Sequence, residues 1–378
     1  MSDSFTAVGL QPLTLGYVRL TDAAPLIMAA ELGFYQRHGL DVTLVQERSW
    51  ASLRDKLTVG LVDAAQLLAP LALYVTAGVG SPATPLLTGL ALGRNGNAIA
   101  VSKALAAEMG LAEPWRQPLA AAQALGTVIR HRRQANAAPL RLATVHAFSV
   151  HTMQWCQLLR AGGADWRQTR LLVLPPEQMV EALAAGEIDA FNAGAPWFAV
   201  AVASGVGELL VTGADIWPDA PEKVLAVTAS WHEQHPERHL RLRMAVMEAL
   251  AWLAEPEHRQ QAAAVLAQPR YLNLPLEQLL PLLTGVVQGS ASALPYVLPQ
   301  FHCFDGGTSA YPWPEHGQRC LRELSALAPL PADVAADALV AEVYRPDLYQ
   351  QASTALGWTL PEPLPSAASG LLTLYGGA

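Results

Sequence analysis

The chain has 378 residues, 52% of them apolar and 15% charged, with a net charge of −8. That length allows two or three domains with sizeable cores. The acidic balance argues against a broad nucleic-acid-binding face, and no uninterrupted run of ~18 apolar residues suggests a membrane span.

From the start, Met1-Ser2-Asp3-Ser4-Phe5 carries no basic n-region, and no apolar h-region or lipobox cysteine follows. With Met1 as the native start, a cytoplasmic location is the expectation. The three cysteines, Cys156, Cys303 and Cys320, form no CxxC pair and no zinc spacing, which fits a reducing compartment.

Leu13-Thr14-Leu15-Gly16-Tyr17-Val18-Arg19 reads as a strand by alternation and β-branched content. A helix follows from Pro25 to His38, with Thr21/Asp22 before it, Pro25 in its first turn and Gly39 past its end. A second strand, Val42–Val45, a second helix and the segment Leu57-x-x-Gly60-x-Val62-Asp63-Ala64-x-Gln66 complete the unit. Leu90–Gly93 leads into Arg94-Asn95-Gly96-Asn97, read as a turn at the first crossing between lobes. The basic run Arg130-His131-Arg132-Arg133 reads as a solvated loop or helix end.

The order then repeats. Leu140–His146 looks like the first strand, 127 residues later, and a helix Thr152–Arg160 follows, closed by Gly162-Gly163. Next come the strand Leu171–Leu174 and the segment Leu183-x-x-Gly186-x-Ile188-Asp189-Ala190-x-Asn192. Glycines and aspartates fall in register between the two copies. Two β-α-β-α-β units predict two lobes, each a mainly parallel sheet flanked by helices, with a ligand cleft at the carboxyl ends of the strands. The lobes are placed at 1–93 plus 213–378 and at 94–212. Beyond them, His239–Glu255 reads as an amphipathic helix, Gln278–Val287 as another, and Leu294–His316 as an ordered loop. Pro361, Pro363 and Pro365 mark a non-helical end.

No GxxxxGK[ST], GxSxG, HExxH or acidic calcium loop is found, so a binding protein without metal or cofactor is expected rather than an enzyme. The strand-to-helix turns are the places for ligand contacts. Trp50, in Gln46-Glu47-Arg48-Ser49-Trp50, offers one indole donor and a flat wall. His151, in Phe148-Ser149-Val150-His151, falls where a helix should begin, a position that favours anions. Gly194, in Asn192-Ala193-Gly194-Ala195-Pro196-Trp197, would let a ligand approach the backbone, and Lys223 supplies a compact charge just before the strand Leu225–Val227.

In chain order, Leu20-Thr21-Asp22-Ala23-Ala24-Pro25-Leu26, Ser49-Trp50 with Arg54-Asp55, Gly194-Ala195-Pro196-Trp197, Pro221-Glu222-Lys223, Tyr311-Pro312-Trp313 with His316, and Tyr344-Arg345-Pro346-Asp347-Leu348-Tyr349 resemble the nitrate- and bicarbonate-binding proteins of ABC importers. Without a leader, the chain is most similar to the cytoplasmic branch, the NasS-type nitrate/nitrite sensors. The resemblance implies a two-lobed fold of the periplasmic-binding-protein type (type II). It also implies binding of nitrate or nitrite, and release of an RNA-binding ANTAR-domain antiterminator that controls nitrate-assimilation genes. The receptor of a nitrate or bicarbonate importer is the alternative. By motif position, Trp50, His151 and Lys223 resemble the family's indole, imidazole and ammonium donors, and Gly194 its backbone contact. Asn97 stands where the importers have a glutamine, and Pro176 resembles a cleft-lining proline. Phe148–His151 departs from the importers' Gly-rich version, and Trp115–Pro139 is longer than theirs. Nitrate is planar and acceptor-only, so this donor set suits it. Lys223→Ala is expected to abolish binding with the fold intact.

Overall fold

The computed structural model describes residues 9–362. β1 (Gln11–Val18) is buried without interruption from Leu15 onward, as a central strand covered on both faces must be. β2 (Leu40–Glu47) and β3 (Ala64–Leu68) flank it in parallel, and β4 (Leu86–Ala91) lies at the far edge. The chain then passes through the two-residue β5 (Arg94–Asn95) into a second sheet. That sheet is built from β6 (Asn97–Ser102), β7 (Arg141–Thr144), β8 (Arg170–Val173), β9 (Ala190–Gly194) and β10 (Gly207–Thr212). β11 (Lys223–Thr228) returns to the first sheet. The strand orders are β2-β1-β3-β11-β4 and β10-β6-β9-β7-β8, the same pattern twice. The result is the expected α/β architecture of two lobes.

Both sheets are mixed. β11 runs antiparallel to β3 and β4, and β6 runs antiparallel to β9 and β10. Each of these strands arrives from the other lobe, so it enters its sheet from the cleft side and points away from it. The repeat units, whose helices bring the chain back to start again, keep their strands parallel. This reversal puts the first residue of each incoming strand beside the last residue of an outgoing one: Lys223 opposite Leu68, and Asn97 opposite Gly194.

The internal repeat has a physical basis. Asp63 accepts hydrogen bonds from the Thr14 backbone N–H and hydroxyl at 2.7 and 2.8 Å, and Asp189 accepts one from the Arg141 N–H at 2.7 Å. Each aspartate thus ties the start of the third strand of its unit to the early part of the first. The glycines three residues before them, Gly60 and Gly186, have φ of 76° and 67°, a conformation that costs a side-chain-bearing residue.

Several elements differ in extent from expectation. The helix expected over Pro25–His38 is two, Ala24–Glu31 and Phe34–Arg37, because Gly33 turns left-handed at φ 71°. The helix after β7 is Val150–Ala161, and the amphipathic one is Pro236–Ala254, burying Leu242, Val246, Leu250 and Leu253. The expected helix Gln278–Val287 runs Leu276–Leu283. It stops before Gly285, at φ 74°, and Val286–Val287 (β12) pairs with Tyr296–Val297 (β13). The basic run ends the helix Pro118–Gln134. Arg94–Asn95 is more than a turn: β5 pairs with His302–Cys303 (β14). Pro361 is irregular; Pro363 and Pro365 lie outside the described residues.

One core lies under the first sheet, where Leu15 and Tyr17 meet Leu242 and Val246, and one lies in the second, around Leu142, Trp155 and Ile129. A third runs across both lobes, joining Trp50, Leu53 and Tyr74 to Val145, Met153 and Phe198. The lobes are closed on each other. The Thr21 N–H donates to the Ala195 carbonyl at 2.9 Å, Arg19 pairs with Glu177 at 3.2 Å, and Tyr74 stacks on Phe148 with centroids 4.3 Å apart.

Candidate functional site

Two serine-capped helices deliver side chains to the cleft. Ser49 and Ser149 share one extended backbone conformation, and their hydroxyls accept from the N–H groups of Ser52 and Thr152 at 3.1 Å. Such caps satisfy one orphan donor of a helix start and fix its entry angle. Trp50 is the first residue of the helix Trp50–Thr58, and His151 the second of Val150–Ala161. Both are completely buried.

Lys223, at the cleft end of β11, is the hub. Its Nζ lies 2.9 Å from Asp22 Oδ2 and 3.0 Å from Glu222 Oε2, and 5.2 Å from the centre of the Trp50 ring. His151 Nε2 is 3.6 Å from the same Glu222 oxygen, and the Asn97 amide donates to the other one. The structure therefore brings together Trp50, Asn97, His151 and Lys223. Gly194 lies against the turn after β1: a Cβ there would stand 3.2 Å from Leu20 Cδ1 and 3.5 Å from Asp22 Oδ2. Pro176 is buried at the start of a 3-10 turn, Pro176–Gln178, whose Glu177 holds Arg19 across the lobes. It lines a lobe contact and brings no donor.

Two carboxylates that the sequence does not single out complete the cluster. Asp22 reads in sequence as a helix-start signal and Glu222 as a neighbour of the lysine, yet both are at least as buried as a core residue. The donor-only set expected from the sequence is thus a lysine clasped by two acids. A buried charge is stable only when paired, and here the pairs are within the cleft. Burial raises the Glu222 carboxyl and the Asp22 charge adds to this, while Lys223 and the Asn97 amide partly offset it, leaving it at about 7. Burial pulls the Lys223 ammonium down, but Asp22 and Glu222 outweigh it and hold it above its ordinary value. His151 is pushed well below 6.5, first by burial and then by Lys223, so its ring is neutral with one donor and one acceptor.

A polar layer supports the cluster. Gln66 accepts from the Val18 N–H at 3.0 Å and donates to Asp22 at 2.7 Å, orienting that carboxylate. Asn192, at the equivalent repeat position, donates to the His151 carbonyl at 3.1 Å and to Gln154 Oε1 at 2.9 Å. Thr21 Oγ1 is 2.7 Å from His302 Nε2, so the loop Leu294–His316 forms part of the cleft wall rather than lying apart from it. Several buried polar atoms have no partner among the described residues: Trp50 Nε1, both ring nitrogens of His151, Gln154 Nε2, Asn97 Oδ1 and Asn192 Oδ1. Unsatisfied buried donors cost about 1–3 kcal/mol each. Of these, Trp50 and His151 lie beside Lys223, and their free N–H groups mark a place able to receive an acceptor. The signal available in sequence was the doubled motif itself, in which Gln66 matches Asn192.

Residues 7–267 match the NMT1-like family. The chain is 35% identical over 350 residues to the nitrate import ATP-binding protein NrtC of Synechocystis, covering 92% of this chain and 50% of that protein. It therefore spans about half the length of this relative. It is 30% identical over 377 residues to the nitrate/nitrite binding protein NrtA of Synechocystis, covering 96% of this chain and 80% of that one. Among solved structures, the periplasmic nitrate-binding protein NrtA from Synechocystis superposes with a TM-score of 0.83 at 29% identity, covering 92% of this chain and 89% of the other. The alkanesulfonate-binding protein SsuA from Xanthomonas axonopodis, at 17% identity and a TM-score of 0.60, covers 88% of this chain and 99% of its own; it shares the fold.

Proposed function

The chain belongs to the NMT1-like family and is homologous to the NrtA binding proteins, and from that premise we propose that it traps nitrate or nitrite between its lobes without transforming it. The observation that carries this reading is the convergence of Trp50, His151 and Lys223, from both lobes, in a fully buried cluster whose indole and imidazole nitrogens lack partners. A planar acceptor-only anion is the chemistry those groups complement. In this reading Trp50, His151 and Lys223 donate, Gly194 allows close backbone approach, and Asn97 shares its amide between Glu222 and the anion. Pro176 closes the wall, and residues 1–93 plus 213–378 move against 94–212. ATP binding is not carried over from NrtC, since the sequence has no GxxxxGK[ST] run.

For the output we propose a cytoplasmic sensor of the NasS type: the closed, anion-bound form releases an ANTAR-domain antiterminator that prefers the open form. This part rests on the motif resemblance. A ligand shifts such an equilibrium only by its differential affinity for the two states. The likeness to the periplasmic NrtA supports a second reading, the receptor of a nitrate importer, equally well. Titration calorimetry with nitrate and with nitrite tests the trap, and absence of heat with both rejects it. Pull-down of the ANTAR protein with and without nitrate separates the outputs. Capture that nitrate abolishes supports the sensor; no capture in either condition removes it in favour of the receptor.

A further inference from the structure

The cleft as built has an electrostatic mismatch with a free anion. With two carboxylates, one ammonium and a neutral His151, the cluster carries one net negative charge while almost closed from water. A monovalent anion entering against the lysine would raise this to two negative charges in a low-dielectric space, where unpaired charge is most expensive. Three groups could restore balance. Asp22 is held from two sides, by Gln66 at 2.7 Å and Lys223 at 2.9 Å. His151 is buried beside the ammonium, which opposes a second cation there. Glu222 remains: it touches Lys223, His151 and Asn97 at once.

Resting on the anion-trap reading, we propose that the cleft takes up one proton together with each anion, and that Glu222 is the group that carries it. The proton comes from solvent to a Glu222 carboxylate oxygen, and no bond of the anion is made or broken. Protonation removes one of the two acids competing for Lys223 and turns an acceptor into an O–H donor, so both changes favour an acceptor-only guest. The groups facing Glu222 agree with this. Lys223 is on its own strand, Asp22 on the turn after β1, Asn97 on β6 and His151 on the capped helix. Arg94 on β5 and His302 on β14 share the small cavity beside it. Arg94 is paired with Asp219, and burial keeps His302 neutral. Cys320, on the helix Pro314–Leu324, is also within electrostatic reach, and burial holds it as the neutral thiol. None of these supplies a second free cation at the carboxylate. Before the anion arrives, burial already brings the Glu222 carboxyl to about 7, and an added negative charge can only raise it further.

The test is calorimetric titration of nitrate from pH 6 to 9, repeated in buffers of different ionisation enthalpy. The expected result is uptake of close to one proton per anion at pH 8, with the dissociation constant rising toward about tenfold per pH unit at the alkaline end. Glu222→Gln, a permanently neutral analogue, should lose the uptake and at pH 9 bind about 100-fold more tightly than wild type, tenfold for each pH unit above 7. Measurable binding with no proton exchange and a flat pH profile overturns the proposal and leaves the trap standing. Uptake undiminished in Glu222→Gln also overturns it, by placing the proton elsewhere. No binding at any pH overturns the trap and this proposal with it. If Glu222→Gln does not fold, the wild type decides: a nitrate-induced infrared difference spectrum must show a new carboxylic-acid carbonyl band, and its absence overturns the proposal.

Discussion

Lys223 is a binding candidate and a structural counter-ion at once, which changes what its removal should do. Lys223→Met leaves Asp22 and Glu222 buried without their cation. Breaking a buried pair by removing one partner costs about 3–5 kcal/mol, so the variant should lose anion binding and also unfold at lower denaturant at pH 8. The stability deficit should shrink toward pH 5 as Glu222 becomes neutral. A denaturation midpoint equal to wild type at pH 8 would contradict the clasp, and would restore the expectation that the lysine can be removed with the fold intact. Trp50 separates the two effects more cleanly. Trp50→Phe keeps an aromatic wall but removes the partnerless indole N–H. A hydrogen bond to a charged group is worth about 1.5–3 kcal/mol, so nitrate affinity should fall roughly 10- to 100-fold by calorimetry. An unchanged affinity would take Trp50 out of the site.

Among the elements, the helices Pro118–Gln134 and Val150–Ala161 meet where neither has a side chain. A Cβ on Gly126 would lie 1.9 Å from the Gly162 carbonyl oxygen, and one on Gly162 would lie 2.1 Å from the Ala122 oxygen. The obstruction is backbone, which cannot swing aside as a side chain would. Gly126→Ala should therefore push the helices apart and destabilise the chain by about 1–3 kcal/mol, read by urea denaturation. Because Val150–Ala161 carries His151, nitrate affinity should fall as well. A Gly126→Ala variant as stable as wild type would mean that the contact is looser than described. In sequence Gly162-Gly163 is legible as a helix end, and Gly163 does turn left-handed at φ 70°. The packing duty of Gly162 is not legible, since it depends on a helix 30 residues upstream.

Over the whole molecule, the balance of buried titratable groups sets the pH range of stability. Burial depresses His146 to about 4 and His302 and His316 to about 3, and it carries His151 and His239 well below 6.5. A histidine with a depressed folded-state pKa contributes stability that is full above about 6.5 and is lost as pH falls toward the folded value. Glu222, raised to about 7, acts in the opposite sense, its contribution fading as pH rises from 4.5 to 7. Asp215, also raised by burial, acts in the same sense as Glu222, and the five histidines outweigh these two acids. Each gives at most about 1.4 kcal/mol per pH unit, so the melting temperature should drop steeply between pH 6.5 and 4.5, with several protons taken up on unfolding. A flat melting temperature across that window would show that these rings are not buried neutral.

The sequence by itself determined what depends on near neighbours: the strands of alternating and β-branched residues, the strand-to-helix turns that carry Trp50 and His151, and the doubled motif ending in Asp63 and Asp189. It also marked Lys223 and Gly194 at strand ends, because glycine and a lone lysine stand out in Ala/Leu-rich text. Only the tertiary structure decided how those pieces face one another. The antiparallel entry of β6 and β11 follows from a chain that changes lobes, and no local propensity encodes it. The partnership of Asp22 and Glu222 with Lys223 belongs to the same class. Charge is visible in a sequence, but distance and loss of water are not, and together they turn three ordinary ionisable residues into one buried, coupled group.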